Sequence, residues 1–177
     1  MAPMEIRKAT RADLDALEAI EDAADSLYVE HFGATEWHEP TAGRQRAAAP
    51  GFVLVAGPAE EGEPPYGFAH VLEWDGCSHL DQLSVRPEWQ RQGIGTALIQ
   101  AAARETAGNG YREMTLMTFL EVPWNAPFYS RLGFTSIQPR CAFEDAAVKL
   151  EYGLGLHRYG TRTLMVAGVT SQGVTRE

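Results

Sequence analysis

Cysteine is nearly missing from this chain: Cys77 and Cys141 are the only two in 177 residues. They are too few for a disulfide framework and too distant in sequence for a CxxC pair, so a reducing cytoplasm is the expected setting. Long hydrophobic runs are missing too. No stretch approaches the ~20 apolar residues that cross a bilayer, and Met1-Ala2-Pro3-Met4 has no basic segment leading into an apolar one. A soluble, unexported protein with no membrane partner is expected. Basic charge is in deficit. A formal charge of -9 argues against nucleic acid, whose phosphates require a basic face. The five histidines, His31, His38, His70, His79 and His157, lack metal-ligand spacing, which predicts no metal. Neither an internal repeat nor an interdomain linker is visible. A single domain over residues 1–167 is expected, followed by a disordered tail, 168–177.

What the chain does contain is organised around Leu80 to Gly95, LDQLSVRPEWQRQGIG. Apolar residues at 83 and 85 alternate with polar ones at 82 and 84, which predicts a strand that Pro87 stops. After Gln90-Arg91-Gln92-Gly93-Ile94-Gly95 the run Thr96 to Arg104 is helical. Two glycines at the mouth of a helix let unpaired N–H groups point outward together at the positive end of the helix dipole. That is an anion site, best suited to phosphate. A nucleoside-triphosphate loop would need Lys and then Ser or Thr after the second glycine, where Thr96 and Ala97 stand. A dinucleotide fingerprint would want a small residue at Leu98. What remains is a Q/R-x-x-G-x-G/A turn carried by Gln90, Gly93 and Gly95.

Around this stretch the chain reads in order as alternating elements. Glu5 to Ala9 is a strand, and Thr10 caps a helix reaching about Tyr28 on the apolar stripe Leu14, Leu17, Ile20, Ala24 and Leu27. Gly33 to Pro50 reads as a lid with a short helix at about 41–49. Strands follow at Phe52 to Ala56 and Tyr66 to Trp74, and Asp75-Gly76 is a hairpin signal. The helix runs from Gly93 or Ile94 to about Ala107, Arg112 to Phe119 is a strand, and this crossover should be right-handed and parallel. Phe134 to Ile137 and Thr161 to Val166 are further strands, whereas Arg140 to Leu156 is ambiguous between helix and loop.

A second motif lies between these last elements. Asn125-Ala126-Pro127-Phe128-Tyr129, then Leu132-Gly133-Phe134, follows the Gly-x-Gly turn at the spacing where the GNAT acyltransferase superfamily carries N-x-x-F/Y-Y and L-G-F. With both motifs in order, the chain resembles that superfamily over roughly Phe52 to Ile137. The resemblance implies an α/β (α+β) GNAT fold: a mixed central sheet of about seven strands, an antiparallel N-terminal meander, one parallel strand-helix-strand crossover, and about four flanking helices.

It also implies a chemistry. Acetyl-CoA would lie with its pyrophosphate on Gln90, Arg91, Gln92, Gly93, Ile94, Gly95 and Thr96. Its pantetheine arm would pair with the edge of Leu83, Ser84 and Val85, where two strands part, with Asn125 and Phe128 beside it. Tyr129 would protonate the departing thiolate. An alkyl amine has a pKa near ~10 and must lose a proton before it attacks. His79 and Asp81, read as sharing one strand face with Gln82 on the other, are the alternative bases, and a histidine titrates in the useful range. Glu21 and Trp37 are substrate-binding candidates. The reading is N-acetyl transfer to a primary amine of a small molecule or peptide by direct attack, with a homodimer admitted by the fold. The alternative is a catalytically inactive acyl-CoA-binding sensor, against which Tyr129 argues.

Overall fold

Asp75 and Gly76 both adopt left-handed backbone, φ 51° and 77°. This is the two-residue turn whose twist suits a tight hairpin, and it sets Trp74 opposite Cys77. The computed structural model describes residues 4–58 and 63–175. Within them the strands are β1 (Met4–Lys8), β2 (Gly51–Pro58), β3 (Gly67–Trp74), β4 (Cys77–Val85), β5 (Glu113–Phe119), β6 (Thr135–Ile137), β7 (Arg162–Thr170) and β8 (Gly173–Val174). The helices are α1 (Arg11–Phe32), α2 (Gly43–Ala48), α3 (Ile94–Gly108), α4 (Ala126–Leu132) and α5 (Ala142–Gly153). None is long and apolar enough to cross a membrane.

The sheet order is β1-β2-β3-β4-β5-β7-β6, with β8 paired to β7. Strands β4 and β5 are parallel; the other pairs are antiparallel. The mixed sheet and parallel crossover agree with expectation. Two helices cover its two faces. On one, Leu98, Ile99, Ala102 and Ala103 of α3 recur at helical spacing and are fully buried with Val71, Leu80, Met114 and Leu116. On the other, Leu17 and Ile20 of α1 pack with Val53, Val55 and Phe68. Each such large side chain contributes about 1.5–3 kcal/mol by leaving water.

Four details differ from the sequence reading. Helix α1 continues to Phe32, one turn further than expected, because the left-handed Gly33 (φ 59°) is what ends it. The ambiguous segment after Arg140 contains α5, and the Arg140 main-chain N–H donates to the Glu144 carboxylate at 2.6 Å at its start. The expected tail is part of the sheet as far as residue 174: β7 runs to Thr170 and β8 pairs Val174 with Val169. The Gly-Pro-Glu-rich stretch from Gly57 to Pro65 also reads as a turn, and residues 59–62 of it lie outside the described residues. Last, the β3/β4 register shifts between His70 and Val71, so Leu80 faces Val71 and Gln82 faces His70 while Asp81 is the extra, bulged residue.

Candidate active site

Between β4 and α3 the chain turns through a short 3-10 segment, Pro87–Trp89, and then through two left-handed residues, Arg91 (φ 58°) and Gly93 (φ 82°). The first bond of α3 runs from the Ala97 N–H to the Gly93 carbonyl at 2.9 Å. The N–H groups of Ile94, Gly95 and Thr96 therefore precede any helical acceptor and open at the positive end of a 15-residue helix. Two side chains expected in the cradle serve the turn itself: Gln90 Nε2 donates to the Val85 carbonyl at 2.9 Å and Gln92 Nε2 to the Glu88 carbonyl at 3.2 Å. Arg91 is exposed. A Cβ on Gly95 would touch the Phe128 ring at 3.7 Å and Leu83 at 3.9 Å, so the turn, the strand and the second motif meet there.

Only His79 with Thr115 and Leu80 with Leu116 pair across the parallel strands among the described residues. Beyond them β4 and β5 part. Leu83, Ser84 and Val85 keep their antiparallel partners in β3 and leave the other backbone edge of β4 open. Tyr129 and Asn125 of the second motif line the cleft that begins at this gap. Burial is what pushes the Tyr129 phenol above its ordinary value. It therefore holds its proton at neutral pH, as an acid must. Its hydroxyl has no hydrogen-bond partner among the described residues. Asn125 stands at the N-cap position of α4 without capping it through its side chain. Instead its Oδ1 accepts from the Tyr28 hydroxyl at 2.8 Å, and its buried Nδ2 is left without a partner. An orphaned buried donor beside an open strand edge fits an amide-rich ligand.

The cleft, about 220 Å³, continues under α1 and α2. Its floor is a buried ion network. Arg46 of α2 donates to Glu21 Oε2 at 2.6 Å and to Asp81 Oδ2 at 3.0 Å, and His70 Nδ1 lies 2.9 Å from the same Asp81 oxygen. Burial alone would raise the Asp81 carboxyl; the His70 hydrogen bond and the charges of His70 and Arg46 outweigh it and hold the group below its ordinary value. Asp25 has weaker support: Trp37 Nε1 donates to it at 3.0 Å and His38 Nε2 lies 3.8 Å away. Burial raises its carboxyl. Trp37 also stacks on Tyr28, centroids 5.6 Å apart. Of the lining residues five carry carboxylates (Glu21, Asp25, Glu39, Asp81, Glu151) and two carry guanidinium groups, Arg46 and Arg162.

The structure thus gathers Glu21, Trp37, Asp81, Leu83, Asn125 and Tyr129 on one cleft, and the bulge adds Gln82 to it. His79 is elsewhere. It is 5% exposed, its Nδ1 lies 2.8 Å from Thr115 Oγ1, its ring meets the edge of Phe143, and it does not line the cleft. Desolvation pulls its pKa down to about 4, so it is neutral at neutral pH and holds the two parallel strands together. Arg46 and His70 were not singled out from sequence. The helix α2 carries two arginines, Arg44 and Arg46, and only the fold joins the second to acids on α1 and β4. Glu21, Asp25 and His38 also bring ligand atoms within 4.8 Å of one another. The Arg46 guanidinium already on Glu21 opposes a divalent cation there.

Residues 51–136 match the family model described as an acetyltransferase (GNAT) domain. Over that span the chain is similar to a GNAT acetyltransferase domain. Its fold is likewise that of the GNAT superfamily. The ribosomal-protein-S18-alanine N-acetyltransferase of Escherichia coli superposes with a TM-score of 0.66 at 17% identity, covering 95% of each chain. The PaiA N-acetyltransferase of Thermoplasma acidophilum, solved with coenzyme A, gives 0.65 at 17% identity over 93% of this chain and 98% of its own. A GNAT acetyltransferase of Brucella melitensis, solved with acetyl-CoA, gives 0.58 at 24% identity over 80% and 92%. The matched span contains both sequence motifs and the cleft residues of β4, β5 and α4.

Proposed function

We propose that this protein is an N-acetyltransferase that moves the acetyl group of acetyl-CoA directly to a primary amine, favouring a cationic small molecule or peptide. One observation carries the reading: β4 and β5 part between a glycine turn of free N–H groups and an acid-rich cleft, with Tyr129 at the junction. Acetyl-CoA supplies the activated acyl group. The N–H groups of Ile94, Gly95 and Thr96 hold its diphosphate, and the open edge of Leu83 to Val85 pairs with its amide-bearing arm. Asn125 Nδ2 donates to that arm.

The surplus of carboxylates over guanidinium groups draws an ammonium into the cleft. Asp81 receives the proton the amine must lose, directly or through a water, since it lines the cleft and keeps an ionised carboxylate. Tyr129 returns a proton to the thiolate as the C–S bond breaks. Glu21 and Arg46 brace Asp81 from behind, and Trp37 presents an aromatic face beside Asp25. The test is thiol release from acetyl-CoA over a panel of mono- and diamines. Amine-dependent release supports the reading, and binding of acetyl-CoA without release from any amine favours the sensor alternative.

A further inference from the structure

Cys77 opens β4 and Cys141 immediately precedes α5, far apart in sequence, yet their Sγ atoms lie 3.1 Å apart. Both are free thiols and half-buried. Both also line an open cavity at the end of the sheet away from the glycine turn, together with Gly76, Arg112 and Arg140, so a small solute can reach them. We propose that this pair is a thiol modification site that closes to an intramolecular Cys77–Cys141 disulfide by exchange with a low-molecular-weight disulfide of the glutathione class. A disulfide needs a sulfur separation of about 2 Å, so closure requires a movement of about 1 Å. The backbone on each side is already held. Cys77 pairs with Trp74 across a tight hairpin, and Arg140, next to Cys141, binds Glu144 at 2.8 Å and Glu113 at 3.0 Å.

The exchange balances in two steps. One protein thiolate attacks the small disulfide and releases one small thiol; the second attacks the resulting mixed disulfide at the protein sulfur and releases the other. The protein loses two protons and two electrons, and both pass to the two small thiols. Burial, reinforced by the adjacent Cys141, pushes the Cys77 thiol up to about 11. Its thiolate is scarce at neutral pH, so closure accelerates as the solution becomes more alkaline.

The bond would reach the acceptor cleft through α5. Its C-terminal half carries Leu150 and Glu151, which line that cleft with Asp81 of β4, and the disulfide ties the start of α5 to the start of β4. This last consequence rests on the proposed function; the bond itself does not.

The experiment equilibrates the native full-length chain with mixtures of reduced and oxidised glutathione at two pH values, counts free thiols and maps peptides without reduction. The expected result is simultaneous loss of both thiols in a monomer, one Cys77–Cys141 cross-linked peptide, faster closure at the higher pH, and a Tm raised by roughly 5–10 °C. Cys77→Ser and Cys141→Ser should each keep the Tm of the reduced chain and lose the rise. Persistent glutathione on one cysteine, cross-links between chains, or both thiols surviving excess oxidised glutathione would overturn the proposal. In acetyl-transfer assays the oxidised chain should show a changed acceptor KM with the same Kd for coenzyme A. An unchanged KM would overturn the coupling to the cleft while leaving the bond in place.

Discussion

The turn from Gln90 to Thr96 and the floor of the acceptor cleft are built by opposite means. The turn is local: two left-handed residues, the first turn of α3, and side chains that bond carbonyls four or five residues away. The floor is assembled from α1, α2, β3 and β4, with Arg46 binding Glu21 and Asp81 over separations of 25 and 35 residues. A local device tolerates changes elsewhere in the chain. A network of buried charges stands or falls as a unit, because removing one member strands the others in a medium that cannot solvate them.

That contrast is open to attack first at Arg46. Arg46→Met should cost about 3–5 kcal/mol of stability, read from urea unfolding, and leave the affinity for coenzyme A where it was. A loss below about 1 kcal/mol, or a matching loss of coenzyme A binding, would erase the distinction between the two regions.

A second test separates His79 from the cleft. The unfolded chain protonates this imidazole near 6.5, whereas burial in the folded state delays protonation until about 4. Full stability is therefore present above pH 6.5 and about 3 kcal/mol is lost as pH falls through that window to 4. His79→Asn, with an amide able to reach Thr115, should flatten that slope in denaturant unfolding and leave the pH profile of turnover unmoved. A shifted turnover profile would return His79 to the chemistry.

Within the cleft, Tyr129→Phe should lower kcat about 100-fold at unchanged Kd for coenzyme A, and an unaltered kcat would remove Tyr129 from proton donation. The smallest effect is expected at the turn. Gly93→Ala forces a side chain into φ 82° and should cost about 1 kcal/mol of stability along with weaker coenzyme A binding. Equal binding would mean that the turn is not part of the anion site.

The difference in construction also explains what could be read from the sequence. Asp75-Gly76, the Gly93 turn, the α3 stripe and Gly133 each encode their geometry within a few residues, so the meander, the crossover and both motifs were legible. Asp81 was legible as a candidate, but not its setting. The bulge that brings Gln82 to the cleft beside it follows from pairing with β3, and no residue type signals it. The placement of His79 at the seam with β5 was not legible, because alternation along β4 cannot tell a cleft from that seam. Residues 168–177, with glycines at 168 and 173, were expected to be a disordered tail, yet as far as residue 174 they pair in the sheet. Both glycines lie where a Cβ would collide, at Thr175 Oγ1 (2.5 Å) and at Gln100 Oε1.

The central claim is that the gap between β4 and β5, with the N–H groups of Ile94 to Thr96 at its end, holds acetyl-CoA. Titrating the folded protein with acetyl-CoA by calorimetry tests it most directly. One-to-one binding, weakened by Gly93→Ala and untouched by Arg46→Met, is the predicted result; no heat of binding at roughly 1 mM ligand would contradict it.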